Sequence, residues 1–165
     1  MNNDKVLEIF KTTEQEIKRK LKLGDEIKVL TGEEAKQYIQ LNEEKYQKDY
    51  NVSLKENYEK TCGTFLWFYD ENIVLVNNPI DLVNLAHELR HAWQYQHKKS
   101  WFKKKEKKKN KLLYIFSIKE IDANWFALKY GIYLARRKVI AVDLSRPILA
   151  LLPFFSLIGL LIFIL

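Results

Sequence analysis

The chain has 165 residues, one cysteine and a formal net charge of +7. This length has room for one hydrophobic core, so we expect a single domain of about 145 residues, 1–145, once the apolar C-terminus is set aside. The cysteine, Cys62, excludes an internal disulfide and fits a reducing compartment. The first 23 residues are charged throughout, so we predict no cleavable signal peptide.

The positive charge is concentrated in one segment. Residues 98–111 contain nine lysines and one glutamate, and the rest of the chain sums to −1. We therefore predict a Lys-rich loop in a nearly neutral domain. This pattern does not favour a nucleic-acid-binding protein, because lysines without arginines or ordered aromatic residues attract nucleic acid only weakly. A solvated loop, and a loop on anionic lipid with Trp101 and Phe102 at the interface, are both open interpretations.

The first 60 residues predict packing elements. Apolar residues recur at helical spacing over 4–23, which indicates an amphipathic helix that ends at Gly24. Residues 27–30 predict a short strand. The sequence from Thr31 to Glu34 has the spacing of a capping box, in which Thr31 caps the next helix and Glu34 bonds back. Nothing in this part of the sequence indicates a reactive site.

A β-hairpin is predicted next. Residues 64–69 and 73–77 are rich in aromatic and β-branched side chains, with polar residues between them. The second of these strands could also pair with an extended peptide as an added strand. Asn78 can then cap a helix and Pro79 suits the first helical position, so the hairpin leads into a central helix.

The central helix contains His87-Glu88-Leu89-Arg90-His91. The two histidines are four residues apart, so about 400° of helical rotation returns them to one face. Imidazole suits Zn²⁺, and two such ligands leave room for a third protein ligand and a water molecule. Glu88 stands beside the first histidine, where its carboxylate could take a proton from that water. This is the His-Glu-x-x-His arrangement of zinc hydrolases.

Two residues compete for the third ligand position. His97 stands ten residues after His87, the spacing of the extended metzincin pattern, but that pattern has a glycine where this chain has Gln94. If the helix continues, His97 is rotated about 240° away from the second histidine and about 9 Å further along the axis. Glu120, on the next predicted helix, is the better candidate, because two histidines and a glutamate form the ligand set of thermolysin-type sites. Asp122 is a backup ligand.

The pattern His-Glu-x-x-His from His87 to His91, followed by Glu-x-x-Ala-Asn-x-Phe-Ala from Glu120 to Ala127, resembles the gluzincin metallopeptidases. It is most similar to the small ImmA/IrrE-type and mini-gluzincin domains, and the resemblance covers residues 64–134. The resemblance implies Zn²⁺ as cofactor, His87, His91 and Glu120 as its ligands, and Glu88 as general base. It also implies a protein or peptide substrate. The Lys-rich insertion departs from the compact connection of that family.

Supporting residues can be suggested around this site. Asn124 stands four residues after Glu120 and could hydrogen-bond a ligand histidine, while Ala123 would let the two helices approach closely. An oxyanion donor is usual in such sites. Tyr130 and Tyr133 are both open as candidates for it.

The C-terminal residues 148–165 carry no charge. As a helix this run spans about 27 Å, close to the hydrocarbon thickness of about 30 Å. We therefore predict a C-terminal transmembrane anchor over 146–165, with a buried terminal helix as the alternative. Positive residues precede the run, which places the catalytic domain in the cytoplasm.

These observations predict an α+β fold: a mostly helical zincin-like domain with a small β-hairpin or sheet beside the active-site helix, plus a C-terminal transmembrane helix. The predicted function is that of a zinc metallopeptidase held at the membrane as a single-pass, tail-anchored protein. Two alternatives stay open. One is a catalytically silent zinc-binding or metal-free regulatory module, and the other is a membrane-surface interaction protein in which the histidines are incidental.

Overall fold

The computed structural model describes residues 2–61, 63–66, 72–98, 117–138 and 143–153. In chain order its elements are α1 (Asn3–Leu21), β1 (Lys28–Thr31), α2 (Gly32–Tyr50), α3 (Leu54–Lys60), β2 (Gly63–Phe65), β3 (Ile73–Val76), α4 (Leu82–His97) and α5 (Ile118–Arg136). Residues 145–153 are also helical.

The described strands form a mixed sheet in the order β1-β3-β2. β1 runs parallel to β3 with Lys28 opposite Ile73, and β2 runs antiparallel to β3 with Gly63 opposite Val76. The predicted hairpin is thus present as the β2–β3 pair, although residues 67–71 of its connection lie outside the described residues. Because β3 is the central strand, the prediction that it could accept an added peptide strand is wrong.

The sheet is buried on both faces. Val74 and Val76 of β3 belong to one apolar cluster, together with Phe10 of α1 and Leu85 of α4. Leu75 belongs to a second cluster formed with α2 and α3. Side chains alternate between the two faces of a strand, so this division gives a helix–sheet–helix layering.

Two helix starts differ from the sequence prediction. Asp81 is the N-cap of α4, and its carboxylate accepts a hydrogen bond from the Asn84 N–H at 3.0 Å; Asn78 instead accepts a hydrogen bond from Ile80 within the preceding turn. Thr31 stands at the N-cap of α2, but its hydroxyl donates to the Val76 carbonyl at 2.8 Å. The capping-box prediction is therefore wrong, since this hydroxyl ties α2 to the sheet instead.

α4 and α5 pack along one another. Two small side chains, Ala123 and Ala127, are buried on the same face of α5 as Glu120, which is the face that meets the histidines of α4. Small residues allow two helix backbones to approach closely, because little side-chain volume separates them. This packing brings the start of α5 to the middle of α4.

The predicted transmembrane helix is wrong. Among the residues that the structure describes, no helix has both the length and the apolar character needed to cross a membrane. The helical residues 145–153 fall well short of the about 20 residues that a span needs, and 154–165 lie outside the described residues. The fold-class prediction is corrected to a mixed helical domain with a small sheet. The tail-anchored membrane location with a cytoplasmic catalytic domain is wrong with it.

The lipid contact predicted for the Lys-rich loop 98–111 falls on residues 99–111, which also lie outside the described residues.

Candidate metal centre

The residues of the zinc-hydrolase motif lie in the middle of α4, and Glu120 lies in the first turn of α5. Ser117 caps α5, because its hydroxyl accepts a hydrogen bond from the Glu120 N–H at 3.4 Å. The cap fixes where α5 begins, and therefore which residue of its first turn faces α4. The structure thereby brings His87, His91 and Glu120 together.

The donor atoms of these three residues converge on one point. The Nε2 atoms of His87 and His91 are 3.0 Å apart. Glu120 lies 3.5 Å from the first of these nitrogens through Oε2 and 3.4 Å from the second through Oε1. With zinc–donor distances of about 2.0–2.2 Å, two donors of a tetrahedral site lie roughly 3.3–3.5 Å apart. The two nitrogen–oxygen separations lie in this range and the nitrogen–nitrogen separation is slightly shorter, so the three residues are placed to hold a small cation.

The Glu120 carboxylate is buried and ionised. Only 7% of the residue is exposed, and within the described residues its Oε1 atom has no well-aligned hydrogen-bond partner. Burial by itself raises the pKa of Glu120, but the imidazoles of His87 and His91 outweigh burial and hold that pKa well below its usual range. A buried carboxylate oxygen without a partner is costly, and a bound cation would satisfy it.

His91 is also buried, and the neighbouring charges raise its pKa, whereas they lower the pKa of Glu120. Burial lowers the pKa of its imidazole, but the carboxylates of Glu120 and Glu88 outweigh burial and raise it. A cation at this point would compete with that proton, because a metal-ligating imidazole must offer a free nitrogen lone pair.

Glu88 is held between α4 and β2. Its pKa is raised by burial, although the backbone N–H of Phe65 donates to its carboxylate. Gly63 on the same strand lies so close that an added Cβ would stand 3.0 Å from the Glu88 Cγ. The carboxylate therefore has a fixed position beside the ligand cluster, and it holds a proton more readily than a solvated glutamate does.

A cleft of about 510 Å³ opens over this cluster. His87, Glu88 and Glu120 line one side, and residues from 143–153 line the other. Arg146 of this C-terminal segment is paired with Asp81 at the start of α4, at 3.3 Å. This wall is not predictable from composition, because the apolar C-terminus by itself indicates a membrane anchor.

Gln94, Asp122 and Arg90 form a chain of hydrogen bonds that begins at His91, and the sequence does not indicate that these three residues meet. Gln94 is fully buried, and its Oε1 lies 2.9 Å from His91 Nδ1. The Gln94 amide also bonds to Asp122, whose carboxylate takes two hydrogen bonds from Arg90 at 2.7 and 3.0 Å. Burial raises the pKa of Asp122, but these hydrogen bonds outweigh it and lower the pKa. Asp122 is therefore the ion-pair partner of Arg90, and the structure does not place it among the donors that converge on the candidate metal position.

Other suggested residues lie elsewhere. His97 is exposed at the end of α4, with its Nδ1 at 3.0 Å from the Trp93 carbonyl. The Asn124 amide donates to the Glu120 carbonyl at 2.9 Å and not to a histidine. The hydroxyl of Tyr133 donates to Glu16 of α1 at 2.7 Å, and Tyr130 is buried in the core with its pKa raised by burial. Neither tyrosine lines the cleft.

Comparison of the chain with models of known protein families, with curated proteins and with solved structures gives no match. The resemblance to gluzincins therefore rests on the motif residues alone. Zinc as the cofactor, the metal-ligand and general-base roles of the four residues, and peptidase activity all stay predictions.

Proposed function

We propose that this protein is a zinc-dependent metallopeptidase in which His87, His91 and Glu120 hold Zn²⁺ and Glu88 is the general base. The observation that carries the proposal is the convergence of two imidazole nitrogens and one carboxylate beneath a cleft, with 3.0 Å between the nitrogens and 3.4 to 3.5 Å from each nitrogen to its nearer carboxylate oxygen. Two imidazoles and one carboxylate form the protein ligand set of a catalytic zinc site that keeps a fourth position for water or substrate.

Bound zinc would lower the pKa of a water molecule to about 7 and polarise a peptide carbonyl. The task of Glu88 is to accept the proton of that water and to pass it to the leaving amine. Burial favours this role, because it raises the pKa of Glu88 and so brings its proton affinity closer to that of a group working near neutral pH. The Phe65 N–H and the close contact with Gly63 orient the carboxylate.

A peptide substrate would lie in the cleft between the ligand helices and residues 143–153. In the sheet formed by the described strands, β2 is at the edge and lies beside Glu88, so β2 rather than β3 has a backbone edge there that an extended peptide could pair with. The wall opposite the histidines is largely apolar, since Pro147, Leu149 and Ala150 all line it. These features suit a stretch of unfolded chain better than a small charged metabolite.

Metal content is the first test. The full chain would be reconstituted with zinc and analysed by elemental analysis beside His87→Ala, Glu120→Ala and, as a matched control, His97→Ala. We expect one equivalent of zinc that both site variants lose and the control keeps. Zinc that persists in Glu120→Ala but disappears in His97→Ala would overturn the ligand assignment. A wild-type chain without zinc would remove the enzyme proposal.

Catalysis is tested separately with Glu88→Gln, which keeps the shape of the side chain and removes its basicity. We expect this variant to retain zinc and to lose cleavage of an unfolded protein substrate, because removing a general base costs about 10²- to 10⁴-fold. Equal cleavage by the wild type and by Glu88→Gln would mean that the activity does not come from this site.

The second candidate is a zinc-binding regulatory module without turnover. One observation favours it: both tyrosines considered as oxyanion donors lie outside the cleft. Zinc binding by the wild-type chain, with cleavage of unfolded protein no faster than that of Glu88→Gln, would support this alternative.

A further inference from the structure

Gln94 joins the second histidine of the motif to α5. It stands one turn after His91 on α4 and is fully buried. Its Nε2 donates to the Lys119 carbonyl at 2.8 Å and to Asp122 Oδ2 at 2.7 Å, and its Oε1 lies 2.9 Å from His91 Nδ1. All the hydrogen-bonding capacity of the amide nitrogen is therefore used on α5.

The partners of Gln94 fix which way its amide faces. A backbone carbonyl and an ionised carboxylate only accept hydrogen bonds, so the NH₂ group must point towards Lys119 and Asp122. The amide oxygen is then the atom that faces His91, and an oxygen there can only accept. In the neutral imidazole that a metal requires, His91 consequently carries its proton on Nδ1, and Nε2 is the nitrogen that can offer a lone pair towards His87 and Glu120.

Asp122 is itself held in place. Arg90 binds both of its oxygens, and the Arg90 guanidinium stacks over the Trp93 ring at 3.9 Å. A bidentate arginine leaves a carboxylate little rotational freedom. The order of contacts is thus Arg90 to Asp122, Asp122 to Gln94, and Gln94 to His91.

We propose that Gln94 is a positioning residue that sets the tautomer of His91 for metal binding, with Asp122 and Arg90 fixing the orientation of its amide. The inference rests on the proposed zinc site and adds a role that neither the motif nor the resemblance assigns. Partners of this kind change the metal affinity of their histidine by about 10- to 100-fold.

A merely structural role would also make Gln94 important, because a buried amide that joins two helices stabilises their packing. Two substitutions separate these roles. Gln94→Met removes every polar contact at similar volume. Gln94→Glu keeps an acceptor for His91 Nδ1, loses both donors to α5 and puts a second carboxylate beside Asp122.

The two substitutions should therefore rank in opposite orders. We expect Gln94→Met to be at least as stable as Gln94→Glu in urea unfolding of the metal-free chain, since it brings no buried charge. For zinc affinity, measured by competition with a chelator, we expect Gln94→Met to be about 10- to 100-fold weaker than the wild type and Gln94→Glu to be the tighter of the two.

The matched control is Gln96→Met, on the same helix. Gln96 donates to Glu26 at the surface, at 2.8 Å, and has no contact with the site. We expect its zinc affinity to equal that of the wild type. Nitrogen NMR of the zinc-loaded chain should show the His91 proton on Nδ1 in the wild type and in the control, and a mixture of tautomers in Gln94→Met.

If Gln94→Glu binds zinc more weakly than Gln94→Met, so that the two variants rank in the same order for zinc affinity as for stability, the positioning role is overturned. Unchanged affinity and an unchanged His91 tautomer in Gln94→Met would overturn it as well. If the wild-type chain binds no zinc, the proposed function fails and so does the metal-binding purpose of Gln94.

Discussion

Gly63 on β2 lies directly against Glu88 on α4. A Cβ added at Gly63 would stand 3.0 Å from the Glu88 Cγ and would also collide with the Asn84 amide. The added Cβ would also stand 3.0 Å from the backbone carbonyl of Leu75 on β3, and neither that oxygen nor the Glu88 Cγ is the free end of a side chain that could turn away. The absence of a side chain at this position therefore determines how closely the strand and the helix approach.

We expect Gly63→Ala to lower stability by about 1–3 kcal/mol, the usual cost of overpacking, and to reduce peptide cleavage more than zinc binding, because Glu88 is displaced before the ligands are. Urea unfolding and cleavage assays would measure both effects. Gly24→Ala is the control, since an added Cβ there meets only the flexible end of Glu26. If Gly63→Ala and Gly24→Ala were equally stable and cleaved peptide equally well, β2 would be able to move away from α4 at little cost.

Thr31 and Glu34 give a test of the helix start at α2. Thr31→Val removes the side-chain donor to the buried Val76 carbonyl, which also has a 3.4 Å contact with the Tyr58 hydroxyl. We expect a loss of about 1–2 kcal/mol, recovered in Thr31→Ser. Glu34→Ala should change stability by less than about 0.5 kcal/mol, because no capping box is formed. A loss in Glu34→Ala as large as that in Thr31→Val would restore the capping-box interpretation.

The contact between Arg90 and Asp122 should depend on the shape of the guanidinium as well as its charge. Arg90→Lys keeps the charge but loses the two-point hydrogen bond and the stacking on Trp93. We expect unfolding free energy to fall by about 1–2 kcal/mol. Lys36→Met, which breaks an exposed ion pair with Glu33, should leave stability unchanged. If Arg90→Lys had the same unfolding free energy as the wild type, the positive charge alone would account for the contribution of this contact.

Asp81 has two partners, and they can be separated. Its carboxylate caps α4 through the Asn84 N–H and also pairs with Arg146. We expect Asp81→Ala to cost about 1 kcal/mol and Asp81→Ser to recover most of it, because serine also caps helices. Arg146→Ala should cost less than about 0.5 kcal/mol, since the pair is largely exposed. A larger loss for Arg146→Ala than for Asp81→Ala would mean that the pair, and not the cap, matters for folding.

The local features of the site could be predicted from the sequence. Spacing alone places His87 and His91 on one face, because both lie on one uninterrupted helix. Helical geometry argues against His97 and the ligand chemistry of zinc sites favours Glu120; the structure places Glu120 at the cluster and His97 at the exposed helix end. The β2–β3 pairing was also accessible, because a short polar connection between two β-rich runs favours a hairpin.

Contacts between distant residues could not be predicted. Gln94 entered the sequence analysis only as a position that lacks glycine, yet it meets Lys119, 25 positions along the chain. No periodicity encodes such a meeting, because it depends on how α5 is rotated against α4. The parallel pairing of β1 with β3, which makes β3 central, is of the same kind.

The C-terminal residues show the limit of composition. An apolar run indicates that its side chains are removed from water, but it does not indicate what they pack against. Leu151 is 2% exposed within the described structure, and its neighbours Leu149 and Ala150 line the cleft. Composition alone predicts a membrane anchor over 146–165, but the described part of this segment lies beside the candidate site.

The donors of the candidate centre come from two helices, and residues 92–119 lie between His91 and Glu120 along the chain. An ion held by both helices would close this stretch into a loop, as a covalent cross-link does. The entropy of closing a flexible loop grows only with the logarithm of its length, by about 0.6 kcal/mol for each doubling. The connecting segment, Lys-rich residues included, can therefore lengthen or shorten at little cost to the meeting of the donors. What evolution would have to preserve is the set of hydrogen bonds from Arg90 and Gln94 that keeps α5 in register with α4.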